Sequence, residues 1–126
     1  GQTSEAFYYS MRHVNPFSVG LNCALGPDLL RQYVAEIARI AQCNVSAHPN
    51  AGLPNEFGEY DMEAEELSEH LKEWGQSGLV NILGGCCGST PEHIRQVAQA
   101  VAGLPPRQIP DIEVKMRLSG LEPFVH

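Results

Sequence analysis

The chain has 126 residues, of which 43% are hydrophobic and 18% charged, a composition typical of a globular protein with one core. Its net charge of -7 and its eight Lys and Arg residues argue against a nucleic-acid partner, because phosphate binding depends on clustered positive charge. The sequence contains neither an apolar run of membrane-spanning length nor a signal-peptide pattern, so we expect a cytoplasmic protein without a membrane partner.

Short apolar runs alternate with helical patterns along the chain. Residues 4–14 are predicted to form a helix that ends a βα unit. Strands are then predicted at 17–21, 45–47 and 79–83, each followed by a helical pattern. This alternation is typical of βα units that form a parallel α/β sheet.

Three helices are predicted between and after these strands. The first begins at Pro27, because proline is favoured in the first turn of a helix, and the second is an acidic helix over 62–76. The third follows Thr90, a predicted N-cap, and ends at Gly103. The helical positions expected to be buried are Leu30, Val34, Ile37 and Ala41, then Leu67, Leu71 and Trp74, then Ile94, Val97, Ala98 and Val101.

The spacing of the predicted strands fits consecutive units of a (β/α)8 barrel as well as a doubly wound sheet. A complete (β/α)8 barrel takes typically ~250 residues, so on the barrel interpretation the chain holds roughly half of one, the C-terminal βα units. Residues 1–104 are assigned to this domain. Residues 105–126 contain four prolines and no helical period, and they are predicted to be a tail or interdomain connector.

Three cysteines follow predicted strands. Cys23 comes directly after the first strand, and Cys86 and Cys87 come directly after the third. Because the C-terminal ends of parallel strands meet at one edge of a sheet, the three thiols are expected to converge there. Three thiolates can hold Zn²⁺ at ~2.3 Å and leave a fourth position for substrate, although Cu(I) and iron–sulfur clusters also accept thiolates. A tight turn built on glycines 84, 85 and 88 would let both adjacent cysteines face one ion.

Plainer interpretations of these residues stay open. Cys86 and Cys87 also suit a packed turn as small buried side chains. Cys43, at the end of the first helix, is predicted to be a structural buried thiol, and His48 a structural histidine rather than a ligand. We assign no role to the other four histidines, His13, His70, His93 and His126.

Five motifs together resemble the homocysteine-binding module of the cobalamin-dependent methionine synthases. They are GLNCALGP, AHPNAGLPN, FGEYD, GGCCGSTPEHI and RLSGLEP, and the resemblance runs over nearly the whole chain. It implies a (β/α)8 barrel whose zinc is held by Cys23, Cys86 and Cys87. It also implies that the carboxamide oxygen of Asn50 is the fourth ligand when homocysteine is absent.

The implied activity is homocysteine S-methyl transfer. Zn²⁺ stabilises the homocysteine thiolate, and this sulfur attacks the methyl group of methylcob(III)alamin, which another module of the parent chain binds, to give methionine. No general base is needed from the protein, and cobalamin- and folate-binding modules are the implied partners. The groups that bind the ends of homocysteine are expected in the missing N-terminal half. We therefore expect little turnover from this chain alone, and self-association or dependence on that half at its open edges.

Two other functions fit part of the same pattern. A structural zinc or thiol-redox domain would use the same cysteines only to hold loops together. A homocysteine methyltransferase that takes its methyl group from betaine or S-methylmethionine would share the GxNC and CC elements, but the SGLEP sequence favours a chain with several modules.

Overall fold

The computed structural model describes residues 2–110, 117–119 and 123–125. A first helix and a 3-10 turn precede three βα units, and two short strands follow them. The elements are α1 (Ser4–Met11), the 3-10 turn (Arg12–Val14), β1 (Ser18–Asn22), α2 (Pro27–Ile40), β2 (Asn44–His48), α3 (Ala64–Gln76), β3 (Ile82–Leu83), α4 (Pro91–Val101), β4 (Arg117–Ser119) and β5 (Pro123–Val125).

The first three strands form a parallel sheet in the order β1-β2-β3. Ser18 pairs with Asn44 at one end of the β1–β2 ladder, Asn22 pairs with His48 at the other, and Ala47 pairs with Leu83. The C-terminal ends of all three strands therefore lie at one edge of the sheet. This arrangement confirms the predicted α/β class with parallel strands.

Local sequence signals set the helix starts. α2 begins at Pro27 with Asp28 in its first turn, and α4 begins at Pro91 with Thr90 as its N-cap, as the sequence predicts. The Thr90 side chain accepts a hydrogen bond from the backbone N–H of His93. Gly103, with φ of 81°, follows the end of α4 in the left-handed conformation that glycine adopts without strain.

One core lies between the sheet and the helices. Val45 and Ala47 of β2 are buried in it, and Trp74 of α3 is fully buried. The predicted faces of α2 and α3 are confirmed, because Leu30, Val34, Ile37, Leu67 and Leu71 join the same cluster. Burial of each such large apolar side chain stabilises the fold by about 1.5–3 kcal/mol.

The predicted buried stripe of α4 is only partly correct. Val97 is buried, but Ile94 is 44% exposed and Ala98 is exposed as well. Both line an open groove of about 380 Å³ beside Leu83 and Val101. In the described part of the chain, no strand pairs with the outer edge of β3, so the groove stays open on that side.

β3 is shorter than the predicted strand at 79–83. Only Ile82 and Leu83 pair with β2. Just before them, the Asn81 side chain rather than a strand carbonyl accepts the N–H of Val45, at 2.9 Å. This side-chain contact takes the place of a backbone hydrogen bond between the strands, so β3 begins only at Ile82.

The segment after α4 contains structure that the sequence pattern does not predict. Arg107 is 4% exposed, and its guanidinium donates to the carbonyls of Ala38, Ala41 and Cys43 around the end of α2. Its backbone N–H also donates to Val80 at 3.1 Å. β4 and β5 pair with each other in antiparallel orientation. The assignment of 105–126 to a connector stays a prediction, although residue 107 is anchored to the domain.

None of the helices in the described part of the chain is long and apolar enough to cross a membrane.

Candidate metal centre

Cys23 lies in a tight turn directly after β1. Its backbone N–H donates to the carbonyl of His48 at 2.8 Å, and its own carbonyl accepts from Leu25 at 2.7 Å. Cys23 and Ala24 have backbone φ values of 64° and 65°, which residues other than glycine rarely adopt. Each such residue costs of order 1–3 kcal/mol and persists only when surrounding contacts hold it. The turn thus fixes the direction of the Cys23 side chain.

Cys86 and Cys87 lie in the turn between β3 and α4. The backbone N–H of Cys86 donates to Pro49 at 2.9 Å, and the Cys86 carbonyl accepts from Ser89 at 3.0 Å, which closes a tight turn. Gly88 has φ of 81° within it. The predicted glycine-rich turn is therefore confirmed, and it brings both neighbouring sulfur atoms to one side.

The buried loop after β2 joins the two cysteine turns. The N–H of Asn50 donates to Leu25 at 3.0 Å, and the N–H of Ala51 donates to Cys87 at 2.9 Å. The Asn50 side-chain oxygen accepts the N–H of Cys87 at 3.2 Å. Asn50 is 3% exposed, so these bonds are shielded from water. The residues that follow the middle strand, β2, thus connect the cysteine turns that follow the two outer strands, β1 and β3.

The three predicted cysteines meet. Their sulfur atoms all lie within 4.8 Å of one another, and those of Cys23 and Cys87 are 3.5 Å apart. Tetrahedral zinc with bonds of ~2.3 Å separates its sulfur ligands by about 3.8 Å, so the observed cluster fits such an ion with small side-chain adjustments. Cys23 and Cys86 are half-buried and Cys87 is exposed, so a substrate can reach the cluster from solvent.

The thiols influence each other electrostatically. The pKa of Cys23 is lowered because the backbone N–H of Ala24 and the side chains of Cys86 and Cys87 hydrogen-bond its sulfur. The pKa of Cys86 is raised, first by its hydrogen bond with Cys23 and then by burial. One thiolate therefore forms readily while the next is opposed by it. A bound metal cation would favour the deprotonated form of all three thiols.

Cys43 and His48 are not members of the three-cysteine cluster. Cys43 is 9% exposed near Arg107, and burial raises its pKa. His48 ends β2, and its ring packs against Gly84, where an added Cβ would lie 3.0 Å from Nε2. The backbone carbonyl of His48, not its ring, takes part in the cysteine turns.

The sequence pattern did not predict the contacts of Tyr60 and His93. Tyr60 packs on the backbone of Gly88, and burial followed by the neighbouring Cys87 raises the pKa of its hydroxyl. His93 was assigned no role, but it is 8% exposed and bonds to both Thr90 and Met62. The signal for His93 was its place three residues after the N-cap Thr90, where a side chain can return to the helix start.

Fold and site together define an α/β protein with a three-thiol cluster, suited to a soft metal ion, at the C-terminal edge of a parallel sheet. The family model for homocysteine S-methyltransferase matches residues 1–101, a range that includes all three strands of that sheet and all three cysteines. The chain therefore belongs to the homocysteine S-methyltransferase family, and it carries a methyltransferase domain.

Proposed function

We propose that this chain is a zinc-dependent homocysteine S-methyltransferase module in which Cys23, Cys86 and Cys87 hold the ion. The observation that carries the proposal is the convergence of three sulfur atoms within 4.8 Å of one another, in a chain of this family. Two of these sulfurs belong to neighbouring residues and the third lies 64 positions away from Cys87. The two cysteine turns and the Asn50 loop between them support a built site rather than a chance group of thiols.

Zinc is favoured by the donor set. Thiolates are soft ligands, which prefer Zn²⁺ to Mg²⁺ or Ca²⁺. When bound, Zn²⁺ supplies Lewis-acid stabilisation of a substrate thiolate near neutral pH. The chain contributes three sulfurs whose directions are fixed by backbone hydrogen bonds, and a solvent-facing side that lets a small thiol approach.

Homocysteine is the proposed methyl acceptor, and methionine the product. Methylcob(III)alamin is the proposed donor, bound by another module of the parent chain, on the basis of the motif resemblance. The proposal also keeps Asn50 as a ligand when substrate is absent. Its side-chain oxygen accepts from Cys87, and a carbonyl oxygen has a second lone pair for another interaction.

A (β/α)8 barrel is the proposed architecture of the complete domain. The parallel order β1-β2-β3 and the helix after each strand support it. So does the apolar groove beside β3, lined by the exposed Ile94 of α4, where a further strand of the barrel would lie.

The metal proposal is tested by X-ray absorption on the zinc-loaded full-length parent protein with and without homocysteine. We expect three sulfur neighbours on zinc in the free protein and four after homocysteine is added. Homoserine, which has a hydroxyl in place of the thiol, is the matched control and should leave three. An unchanged sulfur number with homocysteine would instead mean that the ion only holds the loops together.

The donor is tested separately in the full-length parent protein. Methionine should form when methylcobalamin is supplied, and not when betaine or S-methylmethionine replaces it. Turnover with betaine or S-methylmethionine instead would overturn the donor assignment while leaving the metal site intact.

A further inference from the structure

His93 is a buried imidazole with a defined hydrogen-bonding role on each side of its ring. The backbone N–H of Thr90 can only donate, and it points to Nδ1 at 3.2 Å. The carbonyl of Met62 can only accept, and it lies 2.8 Å from Nε2. The Thr90 hydroxyl also lies 2.8 Å from Nδ1 and can donate to it. The ring therefore carries its proton on Nε2, accepts from Thr90 at the start of α4 and donates to the loop before α3.

These bonds continue to the cysteines. The N–H of Met62 donates to the carbonyl of Ala51 at 3.2 Å, and the N–H of Ala51 donates to the carbonyl of Cys87 at 2.9 Å. Thr90, at the other side of the ring, follows Cys87 by three residues. The imidazole thus closes a loop of hydrogen bonds that runs from α4 through Met62 and Ala51 back to Cys87.

We propose that His93 is a positioning residue for the metal site, which holds the Cys86–Cys87 turn in register with the Asn50 loop through Met62. This inference rests on the proposed function. An imidazole suits the task because one rigid ring presents an acceptor and a donor about 2 Å apart on opposite sides. The glutamate or glutamine usual at this position of a capping box would secure the helix start alone.

Two substitutions separate the bond to Met62 from the capping of α4. In His93→Asn, the amide oxygen takes the place of Nδ1 and still accepts from Thr90, but the side chain is too short to reach Met62. In Thr90→Ala, the helix loses its side-chain cap and Nδ1 loses its contact with the Thr90 hydroxyl, but the ring keeps its bonds to the backbone N–H of residue 90 and to Met62. His93→Asn therefore perturbs the path to Cys87, and Thr90→Ala perturbs mainly the stability of α4.

The measurements are the rate of zinc release to excess chelator and the free energy of unfolding, on the complete chain. His93→Asn should release zinc about three- to tenfold faster than the wild type, the factor expected for one net hydrogen bond. Thr90→Ala should lower the unfolding free energy and release zinc close to the wild-type rate. If Thr90→Ala releases zinc as fast as His93→Asn, zinc retention follows helix stability and the positioning role is overturned.

Amide hydrogen exchange on the metal-free chain distinguishes this inference from the proposed function. His93→Asn should increase exchange at the amides of Met62 and Ala51, and Thr90→Ala should leave both protected. Should the wild type retain no zinc while this exchange pattern holds, the proposed function fails and the role of His93 in positioning the turn stands. Unchanged exchange in His93→Asn overturns the inference even in a chain that binds zinc.

Discussion

Tyr60 packs directly on the backbone of Gly88, so that a side chain at position 88 would overlap the tyrosine Cβ and approach the Cβ of Ala51 to 3.2 Å. The two residues belong to different loops, one before α3 and one after β3. Because Gly88 directly follows Cys87, this contact sets how closely the loop of Tyr60 lies over the cysteine cluster. The absence of a side chain at Gly88 is thus a condition for the site.

Gly88→Ala should therefore disrupt the metal site, whereas Gly103→Ala should not. Both glycines have φ of 81°, so both substitutions carry the left-handed backbone cost of about 1–2 kcal/mol. A Cβ at Gly103 meets nothing within 4 Å, but at Gly88 it overlaps Tyr60, which adds about 1–3 kcal/mol. Urea unfolding and zinc stoichiometry check this. Equal unfolding energies and equal zinc content for the two variants would contradict it.

Ala24→Gly should stabilise the chain slightly. Ala24 has φ of 65°, and glycine removes a strain of about 1–2 kcal/mol while adding about 0.4–1 kcal/mol of chain entropy in the unfolded state. The net gain should be about 0.5 kcal/mol in the free energy of urea unfolding. A loss of stability would show that the Ala24 side chain makes a contact that outweighs the strain.

Arg107→Met should destabilise the fold without removing the metal site. The guanidinium donates to three backbone carbonyls at the end of α2 and beyond, and its loss leaves buried acceptors without a donor, at about 1–3 kcal/mol or more in total. Arg95→Met is the matched control. Arg95 bonds Glu92 on the exposed face of α4, where water screens the pair and its loss should change stability little. Similar unfolding energies for the two variants would show that Arg107 is not a structural anchor.

The Arg31–Glu73 pair between α2 and α3 predicts a small dependence of stability on pH. The Arg31 guanidinium, through its hydrogen bond, lowers the pKa of Glu73 below its ordinary value of 4.5. A carboxyl with a lowered folded pKa stabilises the protein above pH 4.5, and this contribution is lost as the pH falls through the folded value.

Glu73→Gln should thus cost up to about 0.5 kcal/mol near pH 7, because the pair is partly exposed, and nothing once Glu73 is protonated. Glu69→Gln, on the exposed face of α3, is the control and should show no such change. Urea unfolding from pH 7 to pH 3 measures both. A Glu73→Gln deficit that grows as the pH falls would reverse the predicted sign.

Local signals explain what the sequence predicted well. Pro27 and Thr90 mark helix starts by their own backbone chemistry, and the apolar periodicity of α2 and α3 identified their buried faces. The meeting of Cys23 with Cys86 and Cys87 followed from one geometric rule, that parallel strands end at the same edge. Neither inference required knowledge of distant contacts.

Long-range contacts explain what the sequence did not predict. The Arg107 guanidinium donates to backbone carbonyls 64 to 69 positions earlier in the chain. The proline-rich sequence around Arg107 contains no signal that predicts these acceptors. Ile94 was expected to be buried from its helical spacing, but burial depends on a neighbour that the described chain does not place there. The bond from His93 to Met62 depended on a loop path that composition alone does not fix.

The central claim is that three sulfur atoms share one ion. The zinc stoichiometry of variants in which one cysteine at a time is replaced by alanine tests this claim most directly. Cys23→Ala, Cys86→Ala and Cys87→Ala should each lose bound zinc after purification, while Cys43→Ala, which changes a buried thiol outside the cluster, should keep one equivalent per chain. A Cys23→Ala protein that is folded and still holds a full equivalent of zinc would contradict the account.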